Sequence, residues 1–322
     1  MYHSWRYETT RSHLARATRR SVTKIIRTPD SCFEKLPEYS FDPHYMDLPD
    51  PDFGSLRMHY VDEGPEDGKI ILLMHGQGCW SYIFRHMIPL VTAAGYRVIA
   101  PDFIGFGRSD KLPTTDDYTF EKHVGWLTAF FRAMEFEDIT AYLFDWGGFF
   151  GLRIAAEAPH FFSRIALSNT QLPIGDAPGR EWFINWRAEQ FALPKFPQGE
   201  MVNDGAHNKL SPETIAAFDA PYIDESYKTG PRRFPMILPI STDMDSVPEN
   251  HAAWETLANW KKPVLTLFSA NFKGTAMGPE KLINHIPGAS GQAHDLLNDA
   301  GFYIVEDKPN ELAQSLLKFA GS

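Results

Sequence analysis

Cysteine, positive charge and long apolar runs are all scarce in this chain of 322 residues. Two cysteines, Cys32 and Cys79, cannot build a disulfide framework, which indicates a reducing compartment. The 31 basic residues are outnumbered by 41 acidic ones, and this net charge of −10 argues against a nucleic-acid-binding protein, which needs a basic face. No uncharged run approaches the roughly 20 apolar residues of a membrane helix. We therefore expect a soluble, cytoplasmic protein with neither a nucleic-acid partner nor a membrane span.

Residues 1–30 differ in charge from the rest of the chain. They carry seven bases and two acids, a net charge of +5, so the remaining residues together carry −15. A start that is rich in Arg, Ser and Thr and poor in acids is typical of organelle transit peptides. A basic N-terminal arm and an organelle-targeting segment are the two interpretations of this stretch.

Apolar side chains are plentiful, with 43% hydrophobic and 14% aromatic residues, which excludes a disordered chain. Short apolar runs alternate with helical patterns. Strands are predicted at 69–74, 96–100, 139–144, 165–168 and 263–269, and helices at 119–134, 147–157 and 309–319. Fully apolar strands that alternate with helices indicate an α/β fold with a mostly parallel sheet flanked by helices. Ligands bind beyond the carboxyl ends of such strands.

The alternation stops in a segment that is rich in Trp, Phe and Pro, at 173–240. A helical insertion of this size after a strand is a candidate lid over the sheet edge, and a helical subdomain with its own aromatic core is the alternative. We therefore divide the chain into the basic segment 1–30, a first core part 31–172, a helical lid 173–240 and a second core part 241–322.

The first candidate for chemistry is Asp145, in the run 144–148 (FDWGG). It follows an apolar strand, opens a helix and precedes small residues. This is the layout of a nucleophile elbow, a tight turn that presents one side chain to the active site. Asp145 would then be a carboxylate nucleophile that forms an ester intermediate. An N-capping aspartate of the helix is the alternative.

A second motif, residues 75–80 (HGQGCW), directly follows the strand predicted at 69–74. In α/β-hydrolases a His-Gly loop at this place supplies a backbone N–H group to an oxyanion hole. Alone, this motif is weak evidence for an oxyanion hole. Here it precedes the elbow by seventy residues, with 101–110 (PDFIGFGRSD) between them, and the combination is strong evidence.

Together these runs resemble the haloalkane dehalogenases, in particular the branch that holds halide with two tryptophans. The resemblance extends from about residue 28 to the C-terminus. It is carried by 75–82, 101–110, 145–148, 169–170, 183–187 (FINWR), 219–221 (DAP), 224–228 (DESYK), 286–288 and 306–307. Epoxide hydrolases share the elbow and the His-Gly loop, but their lid presents tyrosines where this chain has Trp186.

The resemblance implies an α/β-hydrolase fold, a small apolar organic substrate, and neither a cofactor nor a metal. Asp145 would attack the carbon of a carbon–halogen bond. The indole N–H groups of Trp146 and Trp186 would hold the departing halide, because indole is a donor with no acceptor. Backbone N–H groups of Gln77 and Trp146 would form the oxyanion hole, and a histidine oriented by an acid would activate water.

The catalytic histidine and its acid are missing from their family positions. In the run 299–307 (DAGFYIVED), Phe302 occupies the histidine position. In 268–274 (FSANFKG), Phe272 occupies the acid position, and the alternative acid position after the preceding strand carries Asn169. Two phenylalanines form a compatible apolar patch, whereas a lone buried acid would be costly. We therefore expect a settled design that lacks the water-activating pair.

Two residues are candidates to replace the lost base, His294 and Asp299. Cys79 on the oxyanion loop is either a reactive thiol or a buried inert one. His75 is expected to pack within its loop. Three functions stay open. The chain is a hydrolase with altered or incomplete activity, a repurposed cyclase, isomerase or lyase of a biosynthetic pathway, or a ligand-binding pseudoenzyme. The oligomeric state is left open.

Overall fold

Eight strands form one sheet in the computed structural model, which describes residues 24–176, 180–270 and 278–322. Their order across the sheet is β1-β2-β4-β3-β5-β6-β7-β8, and all neighbours from β4 to β8 pair in parallel. The strands are β1 (His44–Asp50), β2 (Gly54–Glu63), β3 (Ile70–Met74), β4 (Arg97–Pro101), β5 (Ile139–Phe144), β6 (Phe162–Ser168), β7 (Val264–Ser269) and β8 (Asp295–Leu297). The predicted α/β class with a mostly parallel sheet is confirmed.

Apolar residues cover both faces of the central strands. Every residue of β5 and β7 is buried. Along β3, Leu72 and Met74 join one apolar cluster while Ile71 and Leu73 join the other, because successive strand side chains point to opposite faces. The unbroken apolar runs in the sequence therefore reflect strands with a helical layer on each side.

Helices cover the two faces in separate groups. On one face, helix α3 contacts both α2 and α8. On the other face, α1 and α11 contact each other and pack with the second apolar cluster. The helices in the described ranges are α1 (Met87–Ala93), α2 (Phe120–Ala133), α3 (Trp146–Glu157), α4 (Arg180–Ala192), α5 (Gln198–Gly205), α6 (Pro212–Asp219), α7 (Thr229–Ile237), α8 (Val247–Leu257), α9 (Glu280–His285), α10 (Ile304–Asp307) and α11 (Pro309–Ala320). The predicted strands and helices appear with ends shifted by zero to three residues.

Two elements at the sheet edges were not expected. Strands β1 and β2 form an antiparallel hairpin in which Asp50 pairs with Gly54, and β2 runs antiparallel to β4. Gly54 has a φ of 78°, which suits the tight turn after Pro51 and Asp52. The three-residue β8 is too short and too exposed to give a periodic signal.

The sheet order brings the two candidate motifs together. Strands β3 and β5 are direct neighbours, while the chain between them forms β4 on the far side of β3. Loops that leave the carboxyl ends of β3 and β5 therefore meet at a point where the winding direction reverses. Such points are where open parallel sheets bind ligands.

Two predictions from the sequence, the basic N-terminal segment and the helical lid, remain predictions. Most of the basic segment 1–30 lies outside the described residues, which begin at 24. Helices α4 to α7 fall within 173–240, although the division into core and lid stays a prediction. Among the helices described, none is long and apolar enough to cross a membrane.

A buried histidine makes the stability of this fold sensitive to acid. His123 lies in α2 with its ring centroid 5.2 Å from that of Phe150 and 4.9 Å from that of Phe234, and its Nε2 has no hydrogen-bond partner in the described structure. Burial lowers the pKa of His123 to about 3. Between pH 6.5 and that value the unfolded chain binds a proton that the folded protein does not, so the free energy of unfolding falls as the pH falls.

We predict that His123→Phe lessens this loss. The variant should gain about 2 kcal/mol relative to the wild type when the pH falls from 7 to 5, because a full proton of difference is worth about 1.4 kcal/mol per pH unit. Urea unfolding of both proteins at the two pH values measures it. An equal stability difference at both pH values would contradict the assignment.

Candidate active site

Asp145 lies at the tight turn between β5 and α3. Its backbone has φ 49° and ψ −115°, an unfavourable conformation for a residue with a side chain. The peptide groups around it hold this turn, since Asp145 N donates to Ser168 O at 3.2 Å and Thr170 Oγ1 donates to Asp145 O at 2.6 Å. No side-chain cap bond is formed with the helix. The geometry is that of an elbow that projects a carboxylate, and it does not fit an N-capping aspartate.

The loop after β3 approaches the elbow closely. Gln77 N donates a hydrogen bond of 2.8 Å to Asp145 Oδ2. A Cβ atom on Gly76 would lie 2.5 Å from that same oxygen, so this position accepts only glycine. On the other side of the turn, a Cβ on Gly147 would lie 2.4 Å from Met74 O. The glycines that identified both motifs in the sequence are therefore required by the contact between the two loops.

The carboxyl group of Asp145 is buried and has an unusual protonation equilibrium. Only 6% of the residue is exposed. Loss of hydration raises the pKa of Asp145 to about 7, against the hydrogen bonds from the backbone N–H groups of Gln77 and Trp146, which lower it. The carboxyl group is thus close to half ionised at neutral pH.

Aromatic rings from the core and from helix α7 surround the start of α3. The Trp146 indole stacks on Phe234 of α7 with ring centroids 4.2 Å apart. Phe149 lies 5.1 Å from the same indole, centroid to centroid. Trp186 lies in α4, with its ring 5.6 Å from that of Phe183, and α4 contacts α7. Both predicted tryptophans thus belong to one assembly of α3, α7 and α4, although their joint contact with a halide stays a prediction.

Phe302 lies beside the elbow. Its ring centroid is 5.6 Å from that of Phe144, the last residue of β5, and 5.0 Å from that of Tyr303. The residue is half-buried and packs against the second apolar cluster. The chain therefore presents an aromatic hydrocarbon next to the nucleophile turn.

The loop that carries Phe302 is anchored by charged side chains on both sides. Arg85 forms two hydrogen bonds with Glu306, of 2.9 and 2.5 Å, and both side chains are almost fully buried. Asp307 accepts hydrogen bonds from Gly301 N at 2.9 Å and from His207 N at 2.8 Å. Breaking a buried pair such as Arg85–Glu306 costs about 3–5 kcal/mol, so this loop has one strongly preferred position.

Asn169 joins that loop to the end of β7. Its Nδ2 donates to Phe302 O at 2.8 Å and to Ser269 Oγ at 2.9 Å, and its Oδ1 accepts from Ser269 N at 3.0 Å. A carboxylate at this position could not donate either bond. The residue at the alternative acid position is therefore a structural amide, and sequence reasoning did not foresee this clamp.

The histidines near the site have their ring nitrogens bound to other groups. His75 Nε2 accepts from Phe103 N at 3.0 Å and its Nδ1 is 3.0 Å from Gly76 O. Burial lowers the pKa of His75 to about 4, so the ring is neutral and packs as expected. His294 accepts from Thr266 N through Nδ1 at 3.1 Å and contacts Ala289 O through Nε2 at 2.7 Å. Neither ring has a free nitrogen to accept a proton from water.

The other candidate bases and ligands are also poorly suited. Asp299 is exposed, and Cys79 is fully buried with the pKa of its thiol raised by burial and by the nearby Asp145. Such a thiol stays protonated and unreactive. Phe272 lies outside the described residues. Within the part of the chain that is described, no group of three His, Cys, Asp or Glu residues could hold a metal ion.

Two further polar groups beside the site were missed from the sequence. The Gln77 side chain reaches across to helix α7, where its Nε2 donates to Pro231 O at 3.0 Å. The hydroxyl group of the buried Tyr303 lies against Gly78, since a Cβ atom there would be 2.6 Å from it. The sequence shows only that a polar side chain lies in or next to a motif, and this does not predict where the side chain points.

Comparison with known proteins identifies the fold and the family of this chain. The alpha/beta hydrolase fold family matches residues 69–288. A haloalkane dehalogenase of Psychrobacter cryohalolentis is 45% identical over 296 residues, which cover 92% of this chain and 98% of that protein. Haloalkane dehalogenase 1 of Mycobacterium tuberculosis is 46% identical over 297 residues, again 92% and 98% of the two chains.

Solved structures give the same result. The tetrameric haloalkane dehalogenase of Paraglaciecola agarilytica superposes with a TM-score of 0.83 at 32% identity, covering 92% of this chain and 98% of that one. A putative ancestral haloalkane dehalogenase superposes with a TM-score of 0.70 at 26% identity, covering 86% and 98%. The predicted α/β-hydrolase fold is thereby confirmed, and the chain belongs to the haloalkane dehalogenase family of the α/β-hydrolase fold.

Proposed function

We propose that this protein is a hydrolase-family enzyme that accepts an alkyl group from a small, largely apolar haloalkane-type substrate onto Asp145, and releases it slowly or incompletely. The observation that carries the proposal is the buried Asp145 carboxylate at the elbow, bonded to Gln77 N, with the ring of Phe302 packed against that of the preceding residue, Phe144. The nucleophile side of the site is intact, and the water-activating side is not.

In the first step an oxygen of the Asp145 carboxylate forms a bond to carbon while the carbon–halogen bond breaks. The halogen leaves with the bonding electrons as halide, and the indole N–H groups of Trp146 and Trp186 stabilise it. The hydrogen bonds from Gln77 N and Trp146 N hold the carboxylate in place. No proton is transferred, so this step does not need the missing histidine.

The second step, hydrolysis of the ester, does need a base. Help from a positioned base is commonly worth 10²–10⁴-fold. Phe302 cannot accept a proton, and the ring nitrogens of His75 and His294 are bound to backbone groups. The alkyl ester should therefore accumulate.

One observation favours a second function. With a pKa of about 7, a large fraction of Asp145 is protonated at neutral pH and can act as a general acid. A protonated carboxyl group in an apolar pocket suits a cyclase, isomerase or lyase, and a site without chemistry would be a ligand-binding pseudoenzyme. The cytoplasmic location and the core and lid boundaries also remain proposals.

Incubation with a 1-haloalkane tests the main proposal directly. Intact-protein mass should increase by one alkyl group, and halide release should stop near one per protein. Asp145→Asn should give neither, since an amide is a poor nucleophile. Many turnovers without adduct would show that another group activates water, and complete absence of adduct and halide would favour the second function.

The rate of adduct formation should depend on pH. Because only the ionised carboxylate attacks and burial raises the pKa of Asp145 to about 7, the rate should rise roughly tenfold per pH unit up to about pH 7 and then level off. Stopped reactions analysed by mass between pH 5 and 9 measure this profile. A flat profile above pH 5 would mean that the carboxylate is already ionised there.

Restoring a histidine should accelerate release of the alkyl group. In Phe302→His the loop should keep its position, because its anchors bind backbone atoms and the carboxylates of Glu306 and Asp307. We expect the adduct to decay roughly 10- to 100-fold faster, below the full gain from a base because position 272 still lacks an acid. Phe302→Leu is the matched control, and equal decay in both variants would contradict the assignment of position 302.

A further inference from the structure

In the side-chain amide of Gln77, the nitrogen has a hydrogen-bond partner and the oxygen has none among the described residues. Its Nε2 donates to Pro231 O at 3.0 Å. This contact determines the amide orientation, because the reversed amide would bring two oxygens together. Its Oε1 is then buried, in a residue only 6% exposed, with no hydrogen-bond partner in the described residues. Buried acceptors are nearly always paired, so this oxygen calls for a donor.

The Gln77 amide belongs to a residue that directly contacts Asp145. The backbone N of the same residue holds Asp145 Oδ2 at 2.8 Å. The helix that it contacts, α7, also carries Phe234, which stacks on Trp146. Gln77 therefore connects the turn at Asp145 to helix α7. A group that pairs with Oε1 would be only a few bonds away from the carbon that Asp145 attacks.

The surroundings select the kind of donor. An ammonium group this close to Asp145 would pair with the ionised carboxylate and make it a weaker nucleophile. A neutral hydroxyl or amide N–H group loses far less hydration and gains the missing bond. Sites built to pair with a donor discriminate strongly against an analogue that lacks it, because the acceptor is then left unpaired.

We propose that Gln77 Oε1 is a recognition site for a neutral hydroxyl or N–H group of the substrate. The preferred substrate is then a short haloalkane-type chain that carries such a donor a few carbons from the halogen. This inference rests on the proposed function, because it assigns specificity to the same alkylation at Asp145, and it narrows the apolar substrate to one with a single polar end.

A pair of isosteric substrates provides the test. In 3-bromopropan-1-ol a hydroxyl group replaces the terminal methyl group of 1-bromobutane, and both give a measurable mass adduct. The measured quantity is the rate of alkylation by the alcohol divided by the rate of alkylation by 1-bromobutane. For the wild type, this ratio should be roughly threefold to tenfold higher than the same ratio for free acetate in solution. This measurement requires no variant.

Variants locate the preference at one atom. Gln77→Met removes the acceptor, so the preference for the alcohol should disappear. The preference is read as the ratio of the two adducts within the same variant, which does not depend on the overall rate of alkylation in that variant. Gln198→Met is the matched control. Gln198 is also buried with an unpaired Oε1, but its amide lies 3.5 Å from the Tyr222 hydroxyl group in the lid. The preference should be unchanged in that variant.

The outcomes separate this inference from the proposed function. If the wild type reacts with both reagents in the acetate ratio, or if both variants change the preference equally, the role of Gln77 is wrong while the alkylation proposal stands. If the wild type forms no adduct with either reagent, both are wrong. Loss of preference in Gln77→Met alone supports the recognition site.

Discussion

The hydrogen bond from Gln77 N to Asp145 Oδ2 is the contact on which the rest of the site depends. It joins the loops at the ends of β3 and β5, two strands made neighbours by the crossover through β4. The approach requires a glycine at position 76 and an unfavourable backbone at Asp145. The surrounding sheet is rigid enough to maintain that strain, which alone would cost about 1–3 kcal/mol.

The loop around Phe302 is held by groups that do not involve its ring. Asn169 binds the backbone carbonyl of Phe302, and Asp307 binds Gly301 N. Arg85 pairs with Glu306 one helical turn later. Because none of these bonds involves the side chain at 302, an imidazole could be replaced by a phenyl ring without moving the loop. These contacts therefore hold the loop independently of which side chain stands at position 302.

The sequence predicts those parts of the molecule that local pattern controls. The fully buried β5 and the start of α3 at the elbow follow from apolar runs and from small residues after Asp145. The hairpin of β1 and β2 lies at the sheet edge, where burial is partial and the pattern weak. The side-chain amides of Asn169 and Gln77 form hydrogen bonds with residues 100 and 154 positions away in the sequence. No local pattern encodes such contacts.

In the proposed reaction, an aromatic ring at position 302 would affect the two steps in different ways. In the proposed reaction, Phe at position 302 would leave the second step without a base at every pH. It also offers no positive charge to favour the ionised Asp145, so desolvation outweighs the two backbone N–H groups and the pKa of Asp145 rises to about 7. Alkaline conditions restore the nucleophile but not the base. Under the proposed function, the site would capture an alkyl group best at slightly alkaline pH and would release it poorly at any pH.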